Sequence, residues 1–156
     1  MKIHSLLSEG VIILELVSQD RDAVLKEIVE QLKGSGKVAG HKDLYDKLIQ
    51  RERLGSTAIG NGIAIPHCKL KETESPVVAL AVSRKGVRFE ALDGKPTHIF
   101  FLVISSPDNP GQNLHILAAV ANLVRKSGSL QKRILGAKTP GKILEIIREE
   151  EERIHE

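Results

Sequence analysis

Ile99-Phe100-Phe101-Leu102-Val103-Ile104 is an unbroken apolar run, and its reading decides the fold. A strand with one face in water alternates apolar and polar side chains, whereas a strand buried on both faces does not. Val77-Val78-Ala79-Leu80-Ala81-Val82 has the same character, and Leu92-Asp93-Gly94-Lys95-Pro96 between the two runs carries strong turn chemistry. Together they predict the middle of a sheet covered by helices on both sides. Upstream, Val11-Ile12-Ile13-Leu14-Glu15-Leu16 is short, β-branched at its start and apolar, and reads as a further buried strand.

Helices fill the intervals. Leu25, Ile28, Val29 and Leu32 recur at helical spacing behind Asp20 and Asp22, with Gly34 as the expected stop and Gly34 to Gly40 as a loop. A second helix is expected from about Asp43, carrying Leu44, Tyr45, Leu48 and Ile49 inward. Arg51 and Arg53 fall in its last turn, where cations complement the macrodipole. After the loop Ser105 to Gly111, a third helix is expected from Gln112 or Asn113 with Leu114, Leu117, Ala118, Ala121 and Val124 facing the core. Ser129 to Leu135 reads as a short helical piece. Thr139 as N-cap and Pro140 at the first helical position open a last helix, with Ile143, Ile146 and Ile147 inward. Residues 148–156 read as an acidic, solvated and fraying tail. The pattern alternates helix and strand, so the fold class is α/β, a mixed sheet between helices. No repeat or linker divides residues 1–156, which read as one domain.

Composition narrows the function. The hydrophobic share of 41% and charged share of 28% are those of an ordinary globular chain. No apolar stretch approaches the roughly 20 residues that cross a bilayer, and the polar N-terminus does not begin a secretory signal. A single cysteine excludes an intramolecular disulfide. These features predict a cytoplasmic protein without direct membrane insertion. The net charge of +3 comes from scattered residues, and Phe89, Phe100, Phe101 and Tyr45 are the whole aromatic set, so no stacking platform for nucleic acid is expected.

The chemistry points to the stretch Arg51-Glu52-Arg53-Leu54-Gly55-Ser56-Thr57-Ala58-Ile59-Gly60-Asn61-Gly62-Ile63-Ala64-Ile65-Pro66-His67-Cys68. Pro66 fixes its own φ and pushes Ile65 into an extended conformation, so His67 is presented at the rigid end of a strand-like segment. His115 is expected in the first turn of the third helix. Glycine loops and helix N-termini bind anions through exposed backbone N–H groups, and a guanidinium such as that of Arg51 adds a charge-assisted hydrogen bond of about 1.5–3 kcal/mol. An imidazole with an ordinary pKa near 6.5 is mostly neutral at pH 7 and is available as a nucleophile.

Other readings compete. A lone histidine is more often structural than catalytic. His67, Cys68 and His115 could ligate zinc, but neighbours on a strand point to opposite faces and no spaced ligand pair accompanies them. The same geometry disfavours Cys68 as a nucleophile paired with His67, and it reads as a small buried residue. The glycine loop lacks the Gly-Lys-Ser/Thr ending of a nucleotide-binding P-loop.

Arg51-Glu52-x-x-Gly55-Ser56-Thr57-x-Ile59-Gly60-x-Gly62-Ile63-Ala64-Ile65-Pro66-His67 resembles the active-site segment of the IIA domains of the phosphoenolpyruvate-dependent phosphotransferase system, fructose–mannitol class, which includes nitrogen-regulatory IIA proteins. The resemblance continues through Phe89-x-Ala91-Leu92-Asp93-Gly94-Lys95-Pro96, the run Ile99 to Ile104, and Leu114-His115-x-Leu117-Ala118. It implies a phosphotransferase that works without metal or nucleotide cofactor. His67 corresponds to the histidine that accepts phosphoryl from the phosphocarrier HPr and passes it to a IIB domain for sugar uptake. The nitrogen-regulatory branch instead signals through its phosphorylation state to a partner protein. His115 corresponds to a histidine that hydrogen-bonds the phosphoryl group, Arg51 to an arginine that completes the anionic environment, and Thr57 to a supporting position. Cys68 stands where such sequences often carry a small residue such as glycine.

Overall fold

The computed structural model describes residues 2–8, 11–36, 41–71, 73 and 75–155, with 41 and 42 described by their backbone alone. The helices are α1 (Ile3–Leu6), α2 (Arg21–Ser35), α3 (His41–Leu54), α4 (Pro110–Lys126), α5 (Leu130–Gly136) and α6 (Pro140–Ile154). The strands are β1 (Ile12–Ile13), β2 (Ala58–Gly60), β3 (Ile63–Ala64), β4 (His67–Lys69), β5 (Val77–Val87) and β6 (Thr97–Ser105). They form a mixed sheet in the order β1-β5-β6-β3-β2, with β4 also on β6.

The expected sheet centre is where the apolar runs placed it. β5 and β6 pair antiparallel from Val77–Ile104 to Val82–Ile99. Every residue from Val78 to Val82 and from Ile99 to Ile104 is buried, which requires cover on both faces. The helices supply it in two packed groups, α2 with α3, and α6 with α1, α4 and α5. Phe89 meets Phe100 edge to face, with ring centroids 5.1 Å apart.

Boundaries moved where local chemistry outranked the periodic pattern. α2 runs through Gly34 and stops at Gly36, whose φ of 71° makes the left-handed cap; residues 37–40 of the expected loop lie outside the described residues. β1 is only Ile12–Ile13, although Leu16 N–H still reaches the Val82 carbonyl at 2.7 Å. α3 starts at His41, two residues before the expected Asp43. α4 begins at Pro110, because the Asn109 side chain accepts the Gln112 N–H and Pro110 suits a first-turn position.

Two expectations are overturned. The buried face of α4 is Asn113, Ile116, Val120 and Leu123; of the expected face Leu117 and Val124 pack partly buried against the core, while Leu114 is 64% exposed and Ala118 is also exposed. Gln112, His115, Asn122, Arg125 and Lys126 gather on one side of α4 and leave a broad apolar arc, so periodicity does not choose which part of that arc meets the core. The buried hydrogen bond from Ser105 Oγ to Asn113 Oδ1, 2.9 Å, holds it. The tail from Arg148 is also not a fraying terminus: α6 continues to Ile154, and Glu150 and Glu151 are buried. Glu150 accepts from Ser127 Oγ (2.7 Å), Arg133 (3.0 Å) and Arg153 (2.6 Å). Glu151 accepts the backbone N–H groups of Ile3 (2.6 Å) and His4 (2.7 Å). Those donors, most of them from other elements, let carboxylates face inward.

Candidate functional site

The glycine-rich stretch is a hairpin rather than an open loop. Asn61 (φ 56°) and Gly62 (φ 80°) are its two turn residues, both left-handed, and Gly60 pairs with Ile63 across it. An Asn-Gly pair is the usual solution for a two-residue hairpin whose turn needs two positive φ angles. Asn61 N–H donates to Asp93 Oδ2 (3.2 Å), tying the hairpin to the turn before β6.

β3 and β4 continue one another along β6. Ile63 pairs with Ile99, Ala64 with Phe100 and His67 with Val103, an unbroken parallel register interrupted only at Ile65-Pro66. Pro66 has no N–H to donate, but its carbonyl still accepts from Val103 N–H at 2.9 Å. The interruption lies beside a hydrogen-bonded sheet, so His67 is held on a strand whose backbone cannot drift. Alternation then separates the neighbours. His67 is half-buried, while Cys68 turns into the core. Burial pushes the Cys68 thiol up to about 12, which keeps it protonated and unreactive.

His67 Nδ1 lies 2.8 Å from the Ile65 carbonyl oxygen. A carbonyl can only accept, so Nδ1 carries the proton and Nε2 keeps its lone pair. Burial of the ring is the largest influence on its pKa and lowers it; the bond to Ile65 opposes this, and the charges of Arg51 and Lys69 add to the lowering. The imidazole is therefore neutral over a wider pH range than a free histidine, with its nucleophilic nitrogen defined.

Arg51 lies in the last turn of α3, as the sequence indicated, and donates to the Gly55 carbonyl at 2.8 Å. Its charge is one of those that lower the pKa of His67. Thr57 is buried and hydrogen-bonds through both its N–H and hydroxyl to Glu52. Its carbonyl accepts from Ile65 N–H at 3.0 Å, so it supports the strand that carries His67. His115 stands in the second turn of α4, because the helix starts earlier than expected; it is exposed, and no hydrogen bond joins it to His67. Glu52 is the residue for which sequence reasoning assigned no role. Its position in the Arg51-Glu52 pair was visible, but nothing local marks it as buried at 2% exposure.

A family model described as phosphoenolpyruvate-dependent sugar phosphotransferase system, EIIA 2, matches residues 5–150. The chain belongs to that family. EIIA 2 members act as phosphotransferase phosphocarriers. The chain is 33% identical over 147 residues to the fructose-specific EIIABC component of Bacillus subtilis, covering 94% of this chain but only 23% of that protein's length. The crystal structure of the nitrogen regulatory protein IIA-Ntr from Neisseria meningitidis superposes with a TM-score of 0.84 at 26% identity, covering 93% of this chain and 98% of that one. The Escherichia coli complex of enzyme IIA mannitol with phosphorylated enzyme IIB mannitol shares the fold at a TM-score of 0.75 and 18% identity, over 92% of this chain and 97% of that one. No helix among the described residues is long and apolar enough to cross a membrane.

Proposed function

We propose that this EIIA 2 protein carries phosphoryl groups on His67, taking them from phospho-HPr and passing them to a IIB domain in sugar uptake of the fructose–mannitol class. The observation that carries this reading is the bond from His67 Nδ1–H to the Ile65 carbonyl, which leaves Nε2 as the nucleophile. Nε2 attacks the phosphorus as the phosphorus–nitrogen bond to the donor's imidazole breaks, and the electron pair of that bond returns to the donor ring. The new phosphoimidazolium keeps its Nδ1 proton against the Ile65 carbonyl, where the ring's positive charge is stabilised. Arg51 supplies the cation for the phosphoryl oxygens, and His115, exposed on α4, supplies a further hydrogen bond to them once the group is in place. The onward step reverses these bonds toward the IIB nucleophile. The similar mannitol IIA, solved with a phosphorylated IIB, makes a IIB domain the natural class of acceptor. Partial exposure of His67 suits transfer between proteins, since the acceptor atom must reach another protein's surface.

The reading is tested by incubation with phosphoenolpyruvate, enzyme I and HPr. One acid-labile, base-stable phosphoryl group should appear on the parent and be absent from His67→Ala. His115→Ala should still be labelled, but slowly. Equal labelling of parent and His67→Ala would refute the assignment.

A second reading is supported by the near full-length likeness to the Neisseria nitrogen regulatory protein: phosphorylation at His67 sets whether a regulatory partner is bound. Capture experiments with His67→Asp and His67→Ala separate the two. A partner other than a IIB domain that distinguishes the two variants supports regulation; a sugar-permease IIB bound by both supports transport.

A further inference from the structure

Glu52 is a carboxylate 2% exposed at the end of α3, one residue beyond Arg51. Burying a charged group costs several kcal/mol unless hydrogen bonds recover it. A neutral side chain could close this helix end at lower cost. What Glu52 holds is specific. Oε2 accepts the Thr57 N–H at 3.0 Å, and Oε1 accepts the Thr57 hydroxyl. Thr57, itself buried, offers its carbonyl to Ile65 N–H at 3.0 Å, and the Ile65 carbonyl accepts His67 Nδ1–H at 2.8 Å. An uninterrupted line of groups thus runs from the Glu52 carboxylate to the ring nitrogen opposite the nucleophile. Over the same segment, Arg51 donates to the Gly55 carbonyl, between Glu52 and Thr57 in sequence. One side chain therefore fixes the loop that sets both the histidine's supporting carbonyl and the arginine's anchor.

We infer that Glu52 is the positioning residue of the phosphoryl-transfer site, holding Thr57 so that the Ile65 carbonyl locks His67 with its proton on Nδ1 and its lone pair on Nε2. This rests on the reading of His67 as phosphoryl acceptor. Burial raises the Glu52 carboxyl above its ordinary value and outweighs the two Thr57 bonds and the charges of Arg51 and Arg21, which oppose it. An ionised carboxylate is the one group of this size that presents only acceptors to both Thr57 donors. Glutamine would keep both contacts, its carbonyl accepting the Thr57 N–H and its NH2 donating to the Thr57 hydroxyl oxygen, whereas leucine is of similar size and offers Thr57 no acceptor.

The test uses the full chain labelled with 15N, with Glu52→Leu and Thr57→Val as variants. Imidazole nitrogen shifts at pH 8 report the tautomer of His67 independently of activity, and the rate of labelling by phospho-HPr is measured from low to saturating donor. In the parent, His67 should be in the Nδ1–H form. In Glu52→Leu, with a parent-like circular dichroism spectrum, an Nε2–H population should appear and the maximal rate should fall at least ten-fold, with KM for phospho-HPr within two-fold. A role confined to stability would lower the melting temperature and leave the tautomer and the rate alone, which would overturn the inference. Thr57→Val removes the hydroxyl bond without touching the carboxylate and should move the tautomer in the same direction. If Glu52→Leu does not fold, Thr57→Val decides, and an unchanged tautomer there also overturns the inference. Absence of labelling in the parent would refute the phosphoryl-acceptor reading instead, while the tautomer measurement would still judge Glu52.

Discussion

Replacing Glu150 by glutamine should cost this protein stability in a way that depends on pH. Burial alone would raise the Glu150 carboxyl, but hydrogen bonds from Ser127, Arg153 and Arg133 outweigh it and bring the group down from its ordinary 4.5 to about 2. A carboxylate lowered that far contributes about 3 kcal/mol at neutral pH. Arg153 is 54% exposed and Arg133 33% exposed, so solvent screening trims the figure to roughly 2–3 kcal/mol. The sign follows from the lowered folded value. The contribution is fully present above the unfolded value of 4.5 and is lost as pH falls through the folded value. At pH 3 more than half of it should be gone. Urea unfolding followed by circular dichroism, at pH 7 and pH 3, measures this directly. Glu150→Gln should lose roughly 2–3 kcal/mol at pH 7 with an unchanged slope in urea, and the gap to the parent should narrow by more than half at pH 3. A loss under about 0.5 kcal/mol at pH 7, or one of equal size at both pH values, would refute the reasoning.

Arg51→Ala should raise the pKa of His67, because the guanidinium is one of the charges that lower it. Nuclear magnetic resonance titration of the imidazole should show the midpoint below the ordinary 6.5 in the parent and higher in the variant, with the acid limb of phosphoryl transfer moving with it. Gly62→Ala should cost about 1–2 kcal/mol in thermal or urea unfolding, since alanine is strained at φ 80° and its Cβ would meet the Gln131 side chain amide at 2.5 Å. Cys68 should resist thiol reagents in the native protein and react freely in denaturant, as expected of a buried thiol with a pKa of about 12. Cys68→Ala should leave phosphoryl transfer unchanged.

Local sequence determined much of this protein. The runs from Val78 to Val82 and from Ile99 to Ile104 could only be strands covered on both faces, because no polar side chain offers an outer face. Thr139-Pro140 set the start of α6 by satisfying an end N–H and pre-forming φ. Ile65-Pro66-His67 defined a rigid presentation of the histidine, and strand alternation separated it from Cys68. The Asn61-Gly62 hairpin was equally local in origin, since two residues with positive φ are written in those residue types, yet the density of glycines around it suggested a loop.

What the tertiary structure decided was set by contacts between separate elements. The rotation of α4 rests on Ser105 meeting Asn113, which turns Leu114 and His115 outward; the broad apolar arc of the helix does not itself choose which part of it faces inward. The inward turn of Glu150 and Glu151 depends on Ser127, Arg133 and the backbone at Ile3 and His4, and without those donors an acidic run belongs in water. The connection from Glu52 through Thr57 and Ile65 to His67 exists only once a helix end, a hairpin and a strand are stacked together. Residue types and short-range spacing specify which chemistry a chain can perform. The carbonyl of Ile65, two residues away, sets the tautomer of His67, whereas hydrogen bonds between separate elements, which close only in the folded state, set which side chains turn inward.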